Sequence, residues 1–176
     1  MVYIIFEIAR PKPINWAESY INTDKIPFGT FAIYDLMSDI FPNQKIESVR
    51  KPVYNQVSDL YAYNDSINDR YNYIFINDGF NIDTLDTKML LSFAEAGNSV
   101  FIASTYSYTD TLSEKFGFNP GSEYQVSNDS VITNFTDKKL ASKHGYIFRG
   151  WNSGNHFKIK NPKLIEILGK IGRAHV

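Results

Sequence analysis

Ser104 ends the apolar run Val100-Phe101-Ile102-Ala103, and His144 and His156 follow in the second half of the chain. A serine at the end of a strand can act as a nucleophile when a base lies within hydrogen-bond reach. Residues 72–106 read as strand, helix, strand and then a turn at Ser104, the setting in which an α/β hydrolase carries its nucleophile. The sharp elbow that exposes such a serine needs glycine two residues to either side. Here those positions hold Ile102 and Tyr106, and neither histidine stands in a His-x-Glu dyad. Ser104 is a candidate nucleophile; the plainer reading is an inert serine at a strand end.

Three other groupings could carry chemistry. Asn77-Asp78-Gly79 with Asp83 and Asp86 is the one compact acidic cluster, and carboxylates at the end of a parallel strand can ligate calcium or magnesium. The spacing of a calcium loop is missing, however. Asp83 is better read as a helix cap and Asp78-Gly79 as a turn. Gly150-Trp151-Asn152-Ser153-Gly154-Asn155-His156 places an aromatic ring among glycines, which suits a stacking platform for a sugar or peptide. Its bland alternative is a turn between antiparallel strands beside a half-buried Trp. Gly117-Phe118-Asn119-Pro120-Gly121 lacks the lysine and the strand-to-helix setting of a phosphate loop. No catalytic, cofactor-binding or metal-ligating residue is assigned from these patterns.

The bulk composition narrows the function classes. With 176 residues, 43% of them hydrophobic, the chain suffices for one domain with its own core. Its net charge of −1 and lack of a basic run argue against nucleic acid, which is gripped by clustered cations. Tyrosines 54, 61, 63, 71 and 73 have few cations among them and read as sheet and core packing. Zero cysteines exclude disulfides, thiolate zinc sites and cysteine nucleophiles. The wealth of Asn, Ile, Lys, Tyr and Phe suggests an AT-rich bacterial genome.

The elements follow from periodicity. Phe31, Ile33, Tyr34, Met37, Ile40 and Phe41 recur at helical spacing behind Thr30, a plausible N-cap, and Pro42-Asn43 ends that helix. Lys45–Val49 alternates like a short strand. Residues 52–70 are ambiguous between a helix through Val57, Leu60 and Tyr61 and a run of turns. Tyr71–Ile76 reads as a buried strand. Asp83 or Thr84 caps a helix to about Ala96, closed by Gly97. Ser99–Ala103 is apolar on both faces, as inside a parallel sheet. Asp110–Phe116 is a short helix. Strands follow at Tyr124–Val126, Val131–Phe135, Tyr146–Arg149 and His156–Lys160, and a last helix opens at Asn161-Pro162 to cover Leu164, Ile165 and Leu168.

Both ends read as cut. Met1–Ile8 is apolar except for Glu7, then meets Arg10-Pro11-Lys12-Pro13. It is an ordinary first strand, Val2–Phe6, or the outer end of a transmembrane helix stopped by the prolines. Ile171-Gly172-Arg173-Ala174-His175-Val176 matches the translation of a common sequencing adapter, so these six residues read as an artefact on a metagenomic fragment. The expected division is 1–12 as membrane end and linker, 13–170 as an α/β domain, and 171–176 as the artefact.

Pro27-Phe28-Gly29-Thr30 opening the first helix, the segments KIESVR and YIFIND, and Glu95-Ala96-Gly97-Asn98 closing a later helix together resemble an uncharacterised bacterial family of unknown function. The match runs over about Lys25–Ser104, and Asn98 stands where a second glycine is more usual. The resemblance implies a membrane-anchored protein with a class I glutamine amidotransferase-like, flavodoxin-like fold: a three-layer α/β sandwich with a mostly parallel sheet, here followed by a strand-rich C-terminal part. It also implies membrane-protein partners, in a neighbourhood of MoxR-type ATPases. The expectation is a non-catalytic, extracytoplasmic interaction or ligand-sensing domain at the bacterial cell membrane. Its rivals are a serine hydrolase acting on a glycan or ester through Ser104, and a soluble carbohydrate-binding protein.

Overall fold

The computed structural model describes residues 13–63, 70–107, 110–127, 130–148 and 152–173. Helix α1 spans Phe31–Ile40 and α2 spans Val53–Tyr63. Strand β1, Asn72–Phe80, leads through α3, Thr84–Glu95, to β2, Ser99–Ser107. Helix α4, Asp110–Phe116, precedes β3, Phe118–Ser127, and β4, Val131–Phe135. Then come β5, Tyr146–Phe148, β6, Asn152–Ile159, a 3-10 turn at Pro162–Leu164, and β7, Gly169–Arg173.

The β1–α3–β2 unit is well determined by its chemistry. Asp83 caps α3, its Oδ1 accepting from Asp86 N at 2.7 Å, and satisfies one amide that the helix itself leaves open. The helix ends at Gly97, whose φ of +90° is strained for any side chain. Beside it Asn98 accepts from Tyr71 N and donates to Phe93 O, joining the start of β1 to the end of α3. The strands then pair in parallel from Asn72↔Ser99 to Phe80↔Ser107. Val53 and Val57 of α2, Leu90 and Phe93 of α3, Phe80 of β1 and Leu112 of α4 form the buried core, with Tyr73, Phe75 and Val100 packed against it.

The mostly parallel three-layer sandwich is not what forms. Among the described residues there is one two-stranded parallel sheet, β1–β2. Beside it stand an antiparallel pair, β3–β6, and an antiparallel sheet in the order β5–β4–β7. The flavodoxin-like expectation fails for a reason of length. β2 runs for nine residues, about 30 Å at 3.3 Å per residue. The seven residues of α4 cover only about 10 Å. A helix that short cannot carry the chain back to begin a third parallel strand.

Local expectations shift accordingly. Lys45–Val49 forms no strand; Lys45 and Glu47 instead pair at 3.2 Å on the surface. Within the ambiguous stretch 52–70, Val53–Tyr63 is helix, and 64–69 lie outside the described residues. Thr30 does not cap α1, because its hydroxyl donates to Tyr20 O. The last helix shrinks to the 3-10 turn, and Gly169–Arg173 is drawn into pairing with β4, so Ile171–Arg173 lie in a strand. The Val2–Phe6 strand and the membrane end at 1–12 lie outside the described residues. The transmembrane helix is likewise not found: no helix among the described residues is long and apolar enough to cross a membrane, and α3 has 12 residues where about 20 are needed.

Among the described residues, burial is concentrated in the elements from α2 to α4. Phe93 is fully buried, whereas Phe148 on β5 is 58% exposed. Phe93→Ala is expected to cost about 3–5 kcal/mol through lost burial and the cavity left behind. Phe148→Ala should stay within about 0.5 kcal/mol. Urea unfolding of the two variants checks this, and equal losses would contradict a core confined to α2, α3, α4 and β1.

Candidate functional site

The candidate nucleophile does not sit at a turn. β2 continues through Ser104 to Ser107, and Ser104 pairs with Asn77 in the middle of the parallel register. Likewise Asn77-Asp78-Gly79 is strand, not turn, with Asn77 Oδ1 accepting from Asp78 N at 2.9 Å. An elbow presents its serine by breaking the strand just there. Here the ladder runs on, so Ser104, although exposed, lacks the strained turn on which an elbow presents its serine.

The bases are arranged no better. Asn155 Nδ2 donates to Thr105 O at 2.7 Å, which brings β6 beside the end of β2. Side chains alternate along a strand, so with Asn155 turned toward β2 its neighbour His156 points to the other face. There the His156 ring lies over Gly121, its antiparallel partner; a Cβ on Gly121 would stand 2.8 Å from Nε2. His144 is exposed in the connection between β4 and β5, a sheet in which neither β2 nor β6 takes part. The structure therefore does not assemble Ser104 with a histidine into a nucleophile–base pair.

Two carboxylates of the acidic cluster are spent on backbone. Asp83 caps α3, and Asp86 Oδ1 accepts from Tyr54 N at 2.8 Å, tying the start of α2 to α3. Among the described residues no group of three His, Cys, Asp or Glu side chains could hold a metal ion. The glycine-rich stretch also changes character: Gly154, Asn155 and His156 are paired positions of β6, opposite Glu123, Ser122 and Gly121. Trp151 and Gly150 lie outside the described residues.

What sequence reasoning missed is apolar surface. Residues paired across a sheet share a face, so Val131, Phe135, Tyr146, Phe148 and Ile171 lie together with Thr133 on one side of β5–β4–β7. Phe135, Tyr146, Phe148 and Ile171 are all exposed there, with Phe135 and Tyr146 in edge-to-face contact at 5.8 Å. On α1, Ile33, Leu36 and Ile40 form a second exposed stripe, and no residue of that helix is fully buried. The helical periodicity of α1 was visible in the sequence; that its stripe stays open was not.

One electrostatic effect stands out. Burial of the Tyr73 phenol raises its pKa above the ordinary 10.0, and the Asp86 carboxylate pushes the same way. The unfolded chain therefore releases this proton first. The contribution to stability is complete below pH 10.0 and is lost as pH rises through the higher folded value. Asp86→Asn keeps an acceptor for Tyr54 N but removes the charge, so Tyr73 should titrate closer to its ordinary value. Tyrosinate absorbance, taken as the difference from a Tyr73→Phe variant, measures it; an unmoved curve would contradict the role given to Asp86.

Comparisons of the chain with protein-family models, with curated proteins and with solved structures return no match.

Proposed function

We propose that this chain is a non-catalytic interaction domain. The observation that carries the reading is the continuous β2 ladder through Ser104, with His156 turned over Gly121 on the other face of its strand. The apolar face of β5–β4–β7 adds a positive argument. Single exposed apolar side chains are ordinary, but contiguous ones rimmed by polar residues mark interaction sites. The cellular context of the proposal, an extracytoplasmic face beside membrane-protein partners, comes from the resemblance of Lys25–Ser104 to the bacterial family of unknown function.

The competing reading is a serine hydrolase, and a fluorophosphonate probe separates the two. The expected result is no covalent labelling of the folded protein beyond that of a Ser104→Ala variant. Labelling of the wild type that disappears in Ser104→Ala would overturn the non-catalytic reading.

A further inference from the structure

Two apolar faces of the same chain are open at once, and they differ in charge. The stripe of Ile33, Leu36 and Ile40 on α1 is flanked by the row of Asp35 and Asp39, both exposed, and α1 contains no Lys or Arg. The apolar face of β5–β4–β7 is bordered by the turn that joins β4 to β5. This turn carries exposed Lys138, Lys139 and Lys143 against one carboxylate, Asp137. An acidic amphipathic helix and a basic-rimmed apolar sheet are complementary in both hydrophobicity and charge.

Their dimensions also agree. Ile33 to Ile40 covers about 10 Å of helix axis at 1.5 Å per residue. The same-face residues Val131 to Phe135 cover about 14 Å of β4 at 3.4 Å per residue, and three strands spaced about 4.8 Å apart are about 10 Å across. A helix laid on one face of a sheet is among the few stable ways to bury both. In the single chain neither face is engaged by the other, since both stay exposed.

We infer that a second copy of this chain covers both faces: α1 of each protomer packs on the β5–β4–β7 face of its partner, in a two-fold dimer with two equivalent contacts. Closed two-fold symmetry requires such reciprocity, because whatever one copy presents to the other it also receives. The inference rests on the interaction reading above and names its partner. Lys138, Lys139 and Lys143 lie at the rim, where opposite charge sets register and rate of encounter more than affinity.

Sedimentation equilibrium over a concentration series reads the result directly. The wild type is expected to reach twice the monomer mass. Leu36→Glu on α1 and Phe148→Lys on β5 should each return it to the monomer; both sites are exposed, so circular dichroism should show unchanged folding. An equimolar mixture of the two variants retains one intact helix-on-sheet contact and is expected to recover dimer that neither forms alone.

A wild type that stays monomeric overturns the inference. So does a dimer broken by Leu36→Glu alone, which would be helix on helix, or by Phe148→Lys alone, which would be sheet face on sheet face. Failure of the mixture to recover dimer overturns it too. If Leu36→Glu loses its helical signal, the more exposed Ile40→Glu replaces it, and if Phe148→Lys does, Ile171→Lys on the same face replaces it; Ile147→Lys, on the opposite face, is expected to leave the dimer intact. A monomer that fluorophosphonate does not label refutes this pairing while leaving the non-catalytic reading standing, so the two failures are distinct.

Discussion

Asn98 uses both ends of its side-chain amide at one corner, accepting from Tyr71 N and donating to Phe93 O. Those two bonds align the first residue of β1 with the first of β2 and seat the C-terminal turn of α3 above them. Arg70 adds a third tie by donating to Ala96 O. The parallel register from Asn72↔Ser99 onward starts from this corner. Phe93, fully buried on the turn that Asn98 holds, centres the core that α2 and α4 complete. A parallel pair of strands has no hairpin to align it, so the crossover helix and its two ends must do so. The rest of the first half is built on that alignment.

The parts of this unit that were legible in the sequence are those set by local chemistry. Asp83 as a cap, Gly97 as the helix end and the apolar runs at 72–76 and 99–103 each follow from the residue present and its neighbours. The parts that were not legible depend on what lies across the fold. Nothing in Ser104 itself says whether a strand stops there. The ladder with Asn77 carries it on, and with it goes the turn on which the candidate nucleophile depended. Lys45–Val49 has strand-like alternation but finds no partner, while Gly169–Arg173 has little strand character and is paired by β4. The sandwich expectation failed in the same way, since the resemblance behind it ends at Ser104 and does not reach α4, which would have had to return the chain.

The contrast between the two halves has a physical basis. In the first, helices α2 and α3 cover one face of a parallel pair and aromatic rings fill the gap: Tyr73 against Phe93, and Phe75 against Phe80 at 4.7 Å. In the second, the strands of β5–β4–β7 have only three to five residues and, among the described residues, no helix covers their exposed apolar side chains, so backbone pairing holds them more than burial does. Side-chain amides substitute for core there. Asn134 both donates to Ser142 O and accepts from Ser142 N, closing the β4–β5 connection. Thr136 bonds Ile167 O beside the entry to β7. Such a sheet keeps its shape with its face open, which is what a docking surface requires.

The His156 ring over Gly121 has a consequence for how this sequence is able to change over time. Any side chain appearing at 121 would put its Cβ 2.8 Å from the imidazole. The ring must therefore turn aside when position 121 gains a side chain, as the far end of a rotatable side chain is able to do, and a smaller residue at 156 removes the clash altogether. The two positions are coupled: the space that the imidazole fills is the space that a side chain at 121 would need.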